Sequence, residues 1–463
     1  MPPDSGPAYP PAVETDGAAA RRYHDRYGSV LPVIDLAASN TPPKHHPGTP
    51  LIRLPFPPFG GSADRLGGLL ALLYGVTRID WKASGVGAGR PVPSGGGAYP
   101  GEVYAATGSG LCHYLPAAHA LELLTPADLR ADLSACLRTP ATEQPDLPEP
   151  PDRPEHPDQR DQADQPELIL LITSRHDANL ARYGPFGHRL QALDTGVLAG
   201  QALTLLAAAG GRPAAHTLFA DRPLSRLLGL DPGAESVHVV VTSGPLTGPE
   251  PTGALLNRRS AGSGFEPVPI ASAQLAGVLD QVAEPVPLNG PNAPGIDLYC
   301  VAGRVAGLAP GCHRRDPRSG ELLPVDGDFS ARAVPRDLFP PGGPGELAGF
   351  EAACAVLVVG DYERGYADHG DRWYRMLNIR AGILGQRIGL AAARAGLGAG
   401  LRCDVVGSRT DRVLGVSPGR TALLTALIGP ERGSGAPSQQ LVRTGLTGLT
   451  EANGLDRLAG GRP

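Results

Sequence analysis

Apolar and polar residues along the chain segregate into short runs of two kinds. LGGLLALLYG at 66–75 predicts a buried helix, EVYAAT at 102–107 and LILLIT at 168–173 predict strands, DTGVLAGQALTLLAAAG at 194–210 predicts a longer helix, and VHVVVTSG at 237–244 predicts another strand. Helical and extended runs mix throughout, as in an α+β layer fold. The 194–210 helix is apolar on all sides, so it must be enclosed on most of them, in a layered fold or a dimer-like core.

Polar, Pro-rich stretches interrupt this pattern. Residues 1–20 are Pro/Ala/Gly-rich without periodicity and are expected to form a disordered arm. TPATEQPDLPEPPDRPEHPDQRDQADQPE at 139–167 lacks large apolar residues, cannot offset its ordering entropy, and is expected to be a solvated surface excursion. A second Pro/Gly stretch at 316–345 is read in the same way, and the Gly-rich residues 436–463 as a tail.

The chain repeats itself. RLLGLDPG at 226–233 recurs as RVLGVSPG at 412–419, 186 residues on, and the same displacement carries Tyr183-Gly184 onto His369-Gly370, Arg189 onto Arg375 and Gly196 onto Gly382. Upstream, Pro91-Val92-Pro93-Ser94 lies over Pro285-Val286-Pro287-Leu288, and each is followed by a strand containing a tyrosine, Tyr104 or Tyr299. The preserved order predicts two copies of one fold, at 21–250 (with the 139–167 insertion) and 251–435. Duplication within one chain usually stands in for a homodimer.

Composition narrows the function classes. The chain has 463 residues, 41% of them hydrophobic, enough for real cores, and a formal charge of -5, which disfavours a polyanionic partner such as nucleic acid. Its six cysteines are scattered without a CxxC pair, so neither a zinc site nor a disulfide framework is expected, no metal is assigned, and a reducing cytoplasm fits best. There is no export signal at the start and no apolar run of about 18 residues or more, so no membrane span is expected.

RPVPSGGGAYPGEVY at 90–104 carries chemistry. It resembles the loop and strand of the SagB-type azoline dehydrogenase branch of the nitroreductase superfamily. LLALLYGVTR at 69–78, Arg182-Tyr183-Gly184 before the long helix, Arg258-Arg259-Ser260, Gly385-Gln386 and LAAARAGLG at 390–398 extend the resemblance over roughly residues 50–432. It implies two tandem nitroreductase-like domains forming an intramolecular pseudo-dimer around one FMN per chain.

In such proteins one protomer supplies an Arg-Arg-Ser turn and a C-terminal basic residue for the phosphate, with Gly-rich backbone near the ring, and its partner supplies the Pro-Ser-Gly loop. By resemblance, Pro93, Ser94, Gly95 and Gly96 come from the first half, and Arg258, Arg259, Ser260, Gln386, Leu397, Gly398 and Arg432 from the second. Guanidinium forks and a hydroxyl suit a phosphate, and glycines let backbone approach a ring. Arg90 is a further phosphate candidate, with a structural ion pair as the bland alternative.

The reciprocal site, where Pro287-Leu288-Asn289-Gly290 replaces the loop, is expected to be dead, and His369 structural. In place of the family's usual Lys-Tyr pair stands Arg182-Tyr183. Tyr183 is expected to donate or relay a proton, or to take the carbon-bound proton itself or through a water, the more so where the Arg182 guanidinium lowers its pKa, and Arg182 itself is a poor base.

The resemblance implies an FMN-dependent dehydrogenase that oxidises thiazoline or oxazoline rings to azoles in a ribosomally made precursor peptide, alone or beside a cyclodehydratase. A generic NAD(P)H-dependent nitro or quinone reductase, and a non-catalytic peptide-binding scaffold, remain alternatives. Further oligomerisation is left open.

Overall fold

The computed structural model describes residues 17–28, 42–55, 65–82, 85–138, 165–248, 258, 260–289, 295–404, 407–433 and 438–440. Its first half contains α1 (Ala18–Tyr27), β1 (Leu51–Arg53), α2 (Arg65–Tyr74), β2 (Arg78–Lys82), β3 (Gly85–Gly89), β4 (Gly101–Thr107), β5 (Gly110–Leu115), β6 (Ala120–Thr125), α3 (Arg130–Arg138), β7 (Leu168–Arg175), α4 (His176–Tyr183), α5 (Gly187–Ala208), β8 (Ala214–His216), α6 (Asp221–Leu228) and β9 (Glu235–Ser243). The second half contains β10 (Ile270–Ala271), α7 (Ser272–Ala283), β11 (Leu288–Asn289), β12 (Ile296–Ala302), β13 (Val305–Ala306), β14 (Gly311–Arg315), β15 (Leu322–Pro324), α8 (Pro344–Glu351), β16 (Cys354–Asp361), α9 (Tyr366–His369), α10 (Arg372–Arg394), β17 (Gly398–Arg402), α11 (Gly407–Leu414), β18 (Arg420–Gly429) and β19 (Ser438–Gln440).

Two sheets share one strand order. The first runs β1-β6-β5-β4-β7-β9-β8-β11, and the second β15-β14-β12-β16-β18-β17. The 186-residue displacement carries β7 onto β16 and α6 onto α11 end to end. It even carries the bulge, which falls at Ile172/Thr173 against β9 and at Val358/Val359 against β18. Gly184 (φ 54, ψ -147) and Gly370 (φ 51, ψ -143) close α4 and α9 in one unusual conformation that a Cβ disfavours.

Strands β4 and β7 are apolar on both faces because both faces are covered. Val103, Ala105, Leu170 and Ile172 pack toward α5, while Ala106, Ile169 and Leu171 pack with Leu133, Leu224 and Leu228 of α3 and α6. The predicted strands and the helix at 66–75 are present to within two residues. The long helix begins at Gly187 rather than 194. Its polar first turns are also buried, because Arg189 donates to the backbone carbonyls of Ala422 and Leu423 (3.1 and 2.7 Å) and Gln191 to that of His176 (3.2 Å).

Helices α5 and α10 cross at glycines. A Cβ on Gly196 would lie 2.1 Å from the Ile379 carbonyl oxygen, and one on Gly382 would lie 2.1 Å from that of Leu193. Gly196 and Gly382, and Leu193 and Ile379, are related by the repeat displacement, so the contact is reciprocal. The cores interlock accordingly: Ile379 and Ile383 of α10 belong to the first half's core, and Tyr183, Phe186 and Leu190 to the second's.

Four expectations need correction. Ala18–Ala20, assigned to the arm, open α1, which docks on the second half: the Ala20 amide donates to Asp371 (2.7 Å) and Arg21 to Glu363 (3.0 Å). The 316–345 stretch is not a bare excursion, because Leu338 and Phe339 in it are fully buried beneath the second sheet with Phe265 and Val413. Leu288–Asn289, from the second half, add a parallel strand to β8 of the first. Residues 438–440, in the tail, pair with β2. The 139–167 excursion lies outside the described residues up to residue 164. No helix among the described residues is long and apolar enough to cross a membrane, and all six cysteines are free thiols.

Candidate functional site

The loop between β3 and β4 is fastened from beneath by a residue on α5. Asp194 accepts hydrogen bonds from the Ser94 hydroxyl (2.7 Å) and the Gly95 amide (3.1 Å), and the Ser94 oxygen in turn accepts one from the Tyr99 amide (2.9 Å). Gly96 and Gly97 follow with φ of 58 and 70, two successive left-handed residues that glycine adopts without strain. Tyr99 also has positive φ, at 47, a costly conformation for a side chain of its size. Its ring is held by the Arg90 guanidinium, which lies 4.5 Å from the Tyr99 ring centre and 4.2 Å from that of Tyr74, the two rings standing edge-to-face.

Arg182 and Tyr183 meet this loop at the C-terminus of α4. Arg182 donates to the Gly96 carbonyl oxygen (2.8 Å), and the Tyr183 hydroxyl occupies the place a Cβ on Gly96 would need, 2.0 Å from it. Burial raises the Tyr183 pKa and Arg182 only partly offsets this, so the phenol is protonated at neutral pH. This corrects the expectation of a lowered pKa: Tyr183 is equipped to donate a proton or hydrogen bond and not to accept one.

From the second half, Arg258 reaches the same loop. Its Nε donates to the Pro91 carbonyl oxygen (2.7 Å), the one hydrogen bond of its guanidinium among the described residues. The group is buried, and burial drives its pKa down to about 10. A buried guanidinium without a bonded carboxylate among the described residues favours an anion beside it. Ser260, two residues on, bridges Ala399 of β17 next to Gly398. Arg259 lies outside the described residues.

Three other candidates sit elsewhere. Gln386 is fully buried in the helix crossing, where it donates to Gln201 (2.7 Å), which donates to the Leu72 carbonyl (2.8 Å). Arg432 pairs with Glu351 (2.7 Å) and donates to the Phe265 carbonyl (3.0 Å), so its guanidinium is already engaged. Leu397 lies in the second core. The structure therefore brings Arg90, Pro93–Gly96, Arg182, Tyr183 and Arg258 to one loop, and engages Gln386, Leu397 and Arg432 in packing and pairing. Asp194 was missed, although it is the one charged residue in the apolar run at 194–210.

No family model matches the sequence, and no curated protein matches it. A solved structure does: a protein named as a nitroreductase from Anabaena variabilis overlays on 89% of this chain and 99% of its own, with 21% identity and a TM-score of 0.74. The chain has the nitroreductase fold. A nitroreductase-named protein from Ralstonia eutropha (21% identity, 46% of this chain, 94% of its own) and the E. coli microcin synthetase McbBCD complex with truncated pro-MccB17 bound (18%, 50% and 93%) each overlay with a TM-score of 0.30.

In this nitroreductase-fold chain, Asp194 gives the loop a pH dependence. Burial raises its pKa from 3.8 to about 6, against the hydrogen bonds from Ser94 and Gly95. The neutral acid is thus favoured by folding. Its contribution is fully present below about pH 4 and is lost as pH rises through about 6, by at most about 3 kcal/mol. Asp194→Asn is expected to flatten the stability curve between those pH values relative to the wild type, read as urea midpoints at pH 4 and pH 7. Equal slopes in the two proteins would rule the assignment out.

Proposed function

We propose that the chain is an FMN-dependent dehydrogenase whose two halves act as the two protomers of an intramolecular pseudo-dimer, holding one flavin between them. The observation that carries this reading is Arg258 of the second half, buried and bonded to the loop of the first. The residues present fit the cofactor. The Arg258 guanidinium suits its phosphate, and Gly97 faces open space with no atom within 4 Å of a Cβ placed on it, a cradle for a flat ring. Ser260, on the second half's side, offers a hydroxyl for the same phosphate, whereas the Cβ space at Gly398 is taken by Glu431. The reciprocal place supports a single site, because Leu288–Asn289 is spent there as a strand on β8.

The substrate we propose is a thiazoline or oxazoline ring in a ribosomally made peptide, oxidised to the azole, with a cyclodehydratase as the partner that makes the ring. The loop resemblance at 90–104 supports this choice. A bound FMN would supply the acceptor for one hydride, which carries both electrons of the oxidation, with dioxygen as terminal oxidant. Tyr183, kept protonated by burial, holds its hydroxyl against Gly96 with a hydrogen bond to donate. Through it the phenol orients a ring heteroatom, or the water that takes the carbon-bound proton. Arg182 holds the Gly96 carbonyl, and so sets the position of that hydroxyl.

The test is incubation of FMN-loaded protein with an azoline peptide, followed by mass spectrometry. Loss of two hydrogens per ring is expected, and Tyr183→Phe should cut the rate by about 10²-fold or more while retaining flavin. Untouched azolines together with NADPH oxidation would overturn the reading in favour of a generic reductase. Colourless protein that takes up no FMN would favour a scaffold.

A further inference from the structure

On the first sheet, β4, β5 and β6 lie side by side, and register places Tyr104 opposite His113 and His113 opposite Glu122. Glu102 lies two residues before Tyr104, on the same face. His113 and Glu122 are fully buried and Glu102 nearly so. His113 Nδ1 lies 2.9 Å from Glu122 and its Nε2 lies 3.1 Å from Glu102. Residues 44–46 cover the group: Lys44 bonds Tyr104 (2.6 Å) and pairs with Glu235, His45 pairs with Glu122, and the His46 amide donates to Glu122 (2.9 Å).

A hydrogen-bonded network alone leaves one atom unexplained. The His46 Nε2 is shielded from solvent and has no hydrogen-bond partner among the described residues. One ligand atom from each of His46, His113 and Glu122 lies within 4.8 Å of the others. The fold does not require the cluster. At the corresponding register in the second half stand Tyr299, Arg314 and Leu323, and Asp297 pairs with Arg420 (2.6 Å).

We propose that His46, His113 and Glu122 form a zinc site. The donor set, two imidazoles and a carboxylate, suits zinc, and the 2.9 Å between His113 and Glu122 is near the ~3.3 Å edge of a tetrahedron with 2.0 Å bonds. His113 would ligate through Nδ1, the metal replacing the proton it shares with Glu122, while Glu102 accepts from Nε2–H and fixes the ring as an orienting carboxylate. Water would complete the coordination. The ion would fasten residues 44–46 over the sheet, a structural role separate from the flavin loop.

Full-length protein purified without a histidine tag, stripped with EDTA and dialysed against zinc chloride, should bind one zinc per chain and release protons as it does. His46→Ala and Glu122→Gln should each weaken binding by 10-fold or more, and Glu102→Gln by about 10–100-fold. His46 lies on the covering segment, so its variant should melt as the wild type does in EDTA, and only the wild type should gain in melting temperature on adding zinc. Absence of stoichiometric zinc in folded wild type, or wild-type affinity in His46→Ala, would overturn the proposal.

Discussion

Gly196→Ala and Gly382→Ala are each expected to destabilise the chain by about 1–3 kcal/mol, the range of overpacking in a well-packed core. Helix propensity predicts the opposite sign, because alanine is favoured over glycine in a helix interior by about 1 kcal/mol. The difference is the obstacle each methyl meets. At both positions it is a backbone carbonyl oxygen of the facing helix, 2.1 Å away, and a backbone atom yields only if α5 and α10 separate. Gly277 on α7 supplies the control: a Cβ there meets nothing within 4 Å, so Gly277→Ala should stabilise by about 0.5–1 kcal/mol. Urea midpoints of the three variants decide the matter. Losses of similar size are expected from the two crossing glycines because their contacts are reciprocal, and a neutral Gly196→Ala would mean that the helices do not cross there.

Arg258→Met should weaken FMN binding by about 10–100-fold, the loss of one or two charge-assisted hydrogen bonds. Stability should hold or rise, because the guanidinium is buried with its pKa forced down to about 10. Arg258→Lys keeps the charge but loses the planar fork and is expected to fall between the two. Titration by flavin fluorescence, with riboflavin beside FMN, separates phosphate recognition from general damage. Riboflavin has no phosphate, so it should bind wild type and variant alike. An equal loss for both flavins would show that Arg258 shapes the loop through Pro91 rather than meeting a phosphate.

The repeat was legible because duplicated landmarks such as RLLGLDPG and RVLGVSPG keep their spacing, and the structure carries that spacing down to a shared bulge. Strands covered on both faces were legible as apolar runs. Partners distant in sequence were not. Nothing near Leu288 announces β8, nothing near Arg432 announces Glu351, and the zinc ligands come from two strands and a loop without a common spacing. Leu338 and Phe339 were hidden by surrounding Pro and Gly, since short helical turns bury single residues without a period. At the candidate site the loop and Arg182-Tyr183 were readable from motif order, whereas the direction of the Tyr183 pKa depends on burial that no motif reports.

Helix α1 leaves the ribosome well before the surface it docks on, because Asp371, which receives the Ala20 amide, is made 351 residues later. At roughly 5–20 residues per second, synthesis leaves α1 waiting on the order of 20–70 s for the surface it docks on. The first sheet waits as well, its β8 edge uncovered until Leu288–Asn289 are made. A nascent chain arrested at residue 300 should therefore be cleaved by protease around Tyr23 and His24, whereas the finished chain should resist. Maturation of the first half is timed by synthesis of the second.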